Sequence, residues 1–171
     1  MPSSSSMHVS GQHLRPLGPH PSAAELLVCA LLYSSCPTVV QIAEFVDADA
    51  DLDEPARTGY RTVVELARRD IAPAPELVLD ELRRRGSLNR PTACWIAAAA
   101  TAGAPPETAR CYAAIVVSNS LRRQVNSWGT ALVTAADNAS EGELKVTVDT
   151  FAPAMSYTFG RLAVLRGNGD E

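Results

Sequence analysis

Residues 106–138, PETARCYAAIVVSNSLRRQVNSWGTALVTAADN, and 140–165, SEGELKVTVDTFAPAMSYTFGRLAVL, decide the fold. The first stretch carries a helical pattern from about 106 to 136. Its seam is Cys111, Ala114, Ser118, Leu121, Val125, Trp128, Leu132 and Ala135. The steps are three and four residues, so these side chains line one stripe of a helix. The second stretch opens on Ser140 with Glu143 three residues on, a capping box that marks a helix start. Its seam runs Leu144, Val148, Phe151, Met155, Thr158, Leu162 and Leu165, again in fours and threes. Two seams joined by the turn Asp137-Asn138-Ala139-Ser140 predict an antiparallel helical hairpin. Gly129 weakens the first helix locally, by about 1 kcal/mol relative to alanine. Pro153 lies inside the second helix but off its seam. Its missing N–H predicts a kink, and the β-branched run Val146-Thr147-Val148 leaves open a break between 146 and 153.

Upstream of the hairpin the chain reads as short helices. Ser22 and Glu25 form another capping box ahead of the apolar run ELLVCALLY. Pro37, Pro55, Pro75 and Pro91 each open a helical pattern, and proline is favoured in a first turn because its missing N–H is an orphan there anyway. In the third helix Tyr60, Val63, Val64, Ala67 and Ile71 share one face. In the fourth, Leu77, Val78 and Leu82 form the inner face and Gly86 supplies the stop. No run alternates as a strand would. The acidic run DADADLDE, Asp47 to Glu54, lacks the glycine and distal glutamate of a calcium loop and reads as a solvated connector. The expected fold is all-α, a compact head of five to six short helices followed by a long antiparallel hairpin. The expected boundaries are a flexible N-terminal tail at 1–21, the head at 22–105, the hairpin at 106–166 and a C-terminal tail at 167–171.

Composition narrows the function. The 171 residues are 46% hydrophobic and 20% charged, with a net charge of −4, so the whole chain has no basic field to draw it to nucleic acid. No segment reaches the roughly 18 apolar residues that span a bilayer, and the N-terminus has no apolar core of a secretory signal, which predicts a cytoplasmic protein away from membranes. Cys29, Cys36, Cys94 and Cys111 fall in apolar helical stretches with no Cys-x-x-Cys spacing and read as buried thiols. His8, His13 and His20 all lie in the tail, at spacings that fit no metal pattern. With no phosphate-binding loop, Lys145 as the one lysine and no histidine in the folded part, neither a nucleotide-hydrolysing motor nor histidine acid–base chemistry is expected. No catalytic, metal or cofactor residues are assigned. Arg68-Arg69 and the candidate nucleic-acid contacts Arg83, Arg84, Arg85, Arg90, Arg122 and Arg123 are clustered. Acidic neighbours surround them and no aromatics interleave, so solvated helix ends are the competing explanation.

The order of these features resembles the N-terminal domain of DnaB-type replicative helicases. The resemblance rests on PHPSAAELLVCALL with Ala24-Glu25 and Leu31-Leu32, and on TVVQIAEFVDADAD with its acidic loop. It continues with Leu82 to Leu88 as L-x-x-x-G-x-L, and with TAGAPPETARCYAAIVVSNSLRR bearing Tyr112-Ala113 and Arg122-Arg123. It covers residues 15–165. The chain departs from the family at Asn89 to Ile96, where a Gly-Gly-x-x-Tyr-Leu element is expected, and at Pro153. It stops at Glu171, short of the linker helix and ATPase domain, so the expectation is a stand-alone domain. The resemblance implies a non-catalytic domain whose hairpins pair subunits into dimers that pack as a collar and receive primase. The partners it implies are a second copy, giving a homodimer or higher even-numbered oligomer, and a replicative helicase or primase. The expected self-association surface is Leu121, Val125, Trp128, Leu132, Phe151, Met155 and Leu162, with Trp128 as the anchor, since large aromatics dominate interfaces. Off-seam residues Val116, Val117, Tyr157, Phe159 and Val164 widen the apolar face, which either a second copy or the chain's own head must cover. The alternative function is a small helical DNA-binding or regulatory protein that uses its arginine patches.

Overall fold

The structure is a computed structural model that describes residues 20–167. The expected tail residues with His8 and His13, and the expected C-terminal tail beyond Gly167, lie outside the described residues. Eight α-helices and no strand occur among the described residues: α1 (Ala23–Leu32), α2 (Cys36–Ala43), α3 (Ala48–Asp51), α4 (Ala56–Arg68), α5 (Pro75–Arg84), α6 (Arg90–Ala100), α7 (Ala109–Asn138) and α8 (Glu141–Arg166). A single 3-10 turn, Pro106–Thr108, precedes α7. The fold is all-α, as the sequence pattern predicts.

Helix α1 is the centre of the head. Its capping box is complete, with Glu25 N–H donating to Ser22 Oγ and Ser22 N–H donating to Glu25 Oε2. Six consecutive residues, Leu27 to Leu32, are buried. A helix apolar all round has no solvent face and must be surrounded. Helices α4, α6 and α7 pack around it. Prolines 37, 75 and 91 sit in first turns as expected, while Pro55 occupies the position just before α4.

Two helix ends share one device. The Ser87 N–H donates to the Leu82 carbonyl and the Gly86 N–H to the Arg83 carbonyl, with Gly86 left-handed at φ 66°. At the end of α4, Ile71 N–H donates to Leu66 and Asp70 N–H to Ala67, with Asp70 at φ 58°. Both are Schellman caps, the second built without glycine. Two expected inner faces are corrected. Helix α4 stops at Arg68, so Ile71 leaves the inner face and is 37% exposed. In α5 the inner positions are Val78, Glu81 and Leu82, and Leu77 points outward at 44% exposure.

Close helix packing supplies a further contact. Gly59 is buried in α4, and a Cβ there would lie 2.7 Å from Trp95 Cζ3 on α6. The glycine lets α4 approach the indole.

The thiols are also corrected. Cys29 is buried and Cys36 half-buried, but Cys94 and Cys111 are exposed. Their helices turn Thr92, Ile96 and Ala99, and Ala109, Ala113 and Ala114, toward the core, which puts the two cysteines on outer arcs.

The hairpin forms as predicted. Helix α8 is capped by Ser140, whose Oγ accepts from the Glu143 N–H, and it runs unbroken through Pro153. The break left open between 146 and 153 does not occur. At its far end, Arg110 of α7 donates to the Leu165 carbonyl at 3.0 Å and to the Val164 carbonyl, tying off the last turn of α8.

Candidate interaction surface on the helical hairpin

The hairpin has an inner and an outer part. In the inner part, Ala109, Ala113, Ala114, Val116, Val117, Ser120 and Leu121 of α7 are buried, with Thr158, Arg161, Leu162 and Leu165 of α8. Of the off-seam residues that called for cover, Val116 and Val117 find it in the chain's own head. From residue 122 to 157 nothing is buried. The arm therefore projects beyond the head, and its two helices cover only the stripe each turns to the other.

That stripe is the pair of seams read from the sequence. Trp128 and Phe151 stack with ring centroids 5.2 Å apart and planes 21° apart. Offset aromatic stacking of this kind adds about 0.5–1.5 kcal/mol to the area term. Leu132, Leu144 and Met155 are half-buried along the same line. Three seam positions depart from it: Cys111 is exposed, and Val125 is 45% and Val148 52% exposed.

The predicted self-association residues thus fall into three groups. Leu121 and Leu162 are buried at the base. Trp128 and Phe151 stack on each other across the hairpin, and Leu132 and Met155 are half-buried. Val125 opens outward. Other apolar side chains dominate the outer surface: Ile115, Val133, Val146, Val148, Tyr157, Phe159 and Val164 are each at least 40% exposed. Sequence reasoning singled out Tyr157, Phe159 and Val164 but missed Ile115 and Val133. Their signal was present, because 115 and 133 are 18 residues apart, five whole turns of a helix.

One flank of the arm is concave. A groove of about 430 Å³ runs between α7 and α8, floored by Leu121, Val125, Phe159 and Leu162 and rimmed by Arg122, Asn126 and Arg166. Val148 stands 11 residues before Phe159, close to the same face of α8. The opposite flank of α8 carries Val146, Tyr157 and Val164 at spacings of 11 and 7. Both flanks present apolar surface to water.

The arginine clusters are largely engaged within the molecule. Glu81, buried on α5, accepts Arg69 at 3.3 Å, Arg84 at 2.9 Å and Arg85 Nε at 2.7 Å. Arg85 also reaches Glu65, and Arg83 pairs with Asp80 at 3.6 Å. The hydrogen bond from Arg85, followed by those from the neighbouring guanidinium groups, holds the Glu81 carboxyl below the usual carboxylate range against the opposing effect of burial. Arg123 donates to the Asp51 carbonyl at 2.9 Å. Among the candidate nucleic-acid contacts, Arg90 and Arg122 form no ion pair within the described residues.

The sequence reading missed one polar site altogether. Asp51, 2% exposed, accepts Arg161 Nη1 at 2.6 Å and Nη2 at 3.2 Å across 110 residues of chain. Arg161 also donates to the Phe45 carbonyl at 3.1 Å and lies 5.2 Å from the centroid of the Tyr157 ring. The acidic run is therefore more than a solvated connector: Asp47, Asp49, Asp53 and Glu54 are exposed, but Asp51 is buried. Asp47 caps α3 by accepting from the Asp49 and Ala50 amides, and that turn carries Asp51 inward onto α8. Tyr60 lies beneath, donating to the Val46 carbonyl at 3.3 Å; burial first, and then the Asp51 carboxylate, raise its phenol well above the ordinary range.

No group of three His, Cys, Asp or Glu side chains that could hold a metal occurs among the described residues, and no described helix is long and apolar enough to cross a membrane.

No family model matches the sequence, and no curated protein does. Among solved structures, the chain is similar to a crystal structure of the N-terminal domain of DnaB helicase from Mycobacterium tuberculosis. The TM-score is 0.63 and the identity 24%, covering 81% of this chain and 97% of that one. The fold is that of a DnaB N-terminal-like domain.

Proposed function

We propose that this chain is a non-catalytic interaction module that associates with itself through the hairpin and acts in DNA replication by joining or modulating a helicase–primase assembly. The observation that carries the reading is that no residue from 122 to 157 is buried, while large apolar side chains line both flanks of that arm. Exposed apolar surface of this extent marks a site for another chain. The grooved flank is the chosen face because it adds concavity and a polar rim to the apolar floor. The likeness of fold to the helicase domain supports the replication setting by analogy. The DNA-binding alternative is less favoured, since most of the clustered arginines already hold carboxylates or carbonyls.

The test is the oligomeric state of a Val125→Glu/Phe159→Glu double variant. Both side chains are about half exposed, so the change spares the core. Sedimentation should show an even-numbered wild-type oligomer and a monomeric variant of unchanged helicity. A wild type that stays monomeric at all concentrations, or a variant that stays oligomeric, defeats the reading. Binding to the purified replicative helicase and primase tests the replication assignment separately.

A further inference from the structure

The base of the arm meets the head through two kinds of contact. The apolar contact is made on α7 mostly by small side chains, Ala109, Ala113, Ala114, Val116 and Val117, with Leu121 and, from α8, Leu162 and Leu165 buried at the same base. Packing of side-chain ridges into grooves leaves a scatter of about 15–20° around each preferred interaxial angle, so apolar contact alone does not fix one direction. The polar contact is specific. The four-residue helix α3 is gripped from both sides of the hairpin. From α7, Ser120 Oγ donates to the Ala50 carbonyl at 2.9 Å and Arg123 Nη2 to the Asp51 carbonyl at 2.9 Å. From α8, Arg161 forks onto the Asp51 carboxylate and reaches past it to the Phe45 carbonyl. The same carboxylate accepts the Asp47 N–H at 2.8 Å, so the fork is anchored to the backbone that starts α3.

A buried ion pair of this kind contributes little net stability, since removing two charges from water offsets most of their attraction. Arg161 Nε, also buried, has no acceptor among the described residues. What the pair supplies is geometry. Its bidentate fork is satisfied at one register and one angle only. The angle matters because residues 122–138 extend the arm about 25 Å past its base, so a tilt of about 10° displaces the tip by about 4 Å.

We infer that the Asp51–Arg161 pair, with Ser120 and Arg123, is a latch that sets the direction of the hairpin relative to the head, and that its role is orientation rather than net stability. The inference holds whether or not the arm self-associates, because it is read within a single chain.

The experiment measures a spin-label distance between Glu76→Cys on α5 and Ala136→Cys near the arm tip. The background carries Cys36→Ser, Cys94→Ser and Cys111→Ser, and labelled chains are diluted with unlabelled ones. The latched protein should give one narrow distance. Asp51→Asn, which leaves Arg161 unpaired, should lower the melting temperature and broaden the distance distribution. The apolar replacement Asp51→Leu/Arg161→Met should restore the melting temperature while the distribution stays broad. A narrow, wild-type distribution in the double variant overturns the inference. So does a double variant that melts as low as Asp51→Asn, since the pair would then act through stability. If the double variant does not fold, Arg161→Lys replaces it. Lysine keeps the charge and loses the fork, and an unchanged distribution there overturns the inference equally.

Discussion

Helix α1 and the outer stretch of α7 are both helical and both carry repeated apolar residues, yet six consecutive residues of α1 are buried and none of α7 beyond Leu121 is. The difference lies in the number of neighbours. Helix α1 is enclosed by α4, α6 and α7, whereas the outer part of α7 has α8 as its packing partner and touches the head only where Arg123 reaches α3. A lone antiparallel partner covers one stripe, so a heptad seam there yields half-buried side chains and two wet flanks. Apolar periodicity therefore identifies a helix and a face, and the count of surrounding helices decides whether that face becomes core or contact surface.

This contrast can be broken at several strengths. Leu31→Ala in α1 empties a site with no exposed surface and should cost about 2–5 kcal/mol in urea unfolding. A loss under about 1 kcal/mol would mean that the head packs no better than the arm. Gly59→Ala should cost about 1–3 kcal/mol, because the added methyl meets the Trp95 ring and forces α4 away from it. Alanine would otherwise stabilise a helix, so a gain in stability would show that the indole yields freely. Trp128→Ala removes the stack on Phe151 and should cost the arm about 0.5–1.5 kcal/mol beyond its lost area. Helicity should then melt in two steps, the arm before the head; a single unshifted transition would show that the stack adds nothing. Val133→Thr, on a side chain 66% exposed, should stay within about 0.5 kcal/mol in unfolding of the dilute protein. A larger loss there would reveal cover over the outer arm even in the monomer.

Much of the fold was legible because its signals are local. Ser22 with Glu25 and Ser140 with Glu143 mark helix starts within four residues, and the seams set the hairpin by spacing alone. What escaped has longer range or subtler local geometry. The Asp51–Arg161 pair joins two residues that look like solvated surface when each is read among its neighbours. The left-handed turn at Asp70 is made without the glycine that signals one, and so Ile71 was carried onto the wrong face. On the arm, the seams were read correctly as stripes. Most of their residues are turned inward between the two helices, while Cys111, Val125 and Val148 are exposed, and much of the outward-facing surface falls on the flanks, which the same periodicity encodes less visibly.

The chain's two tryptophans happen to sit one in each of the contrasted regions, Trp95 against Gly59 in the head and Trp128 against Phe151 in the arm. Intrinsic fluorescence is consequently addressable by region. Excited at the red edge, where tyrosine does not absorb, a Trp95→Phe chain emits from the arm alone and a Trp128→Phe chain from the head alone, so two unlabelled proteins suffice to watch one part respond while the other stays silent.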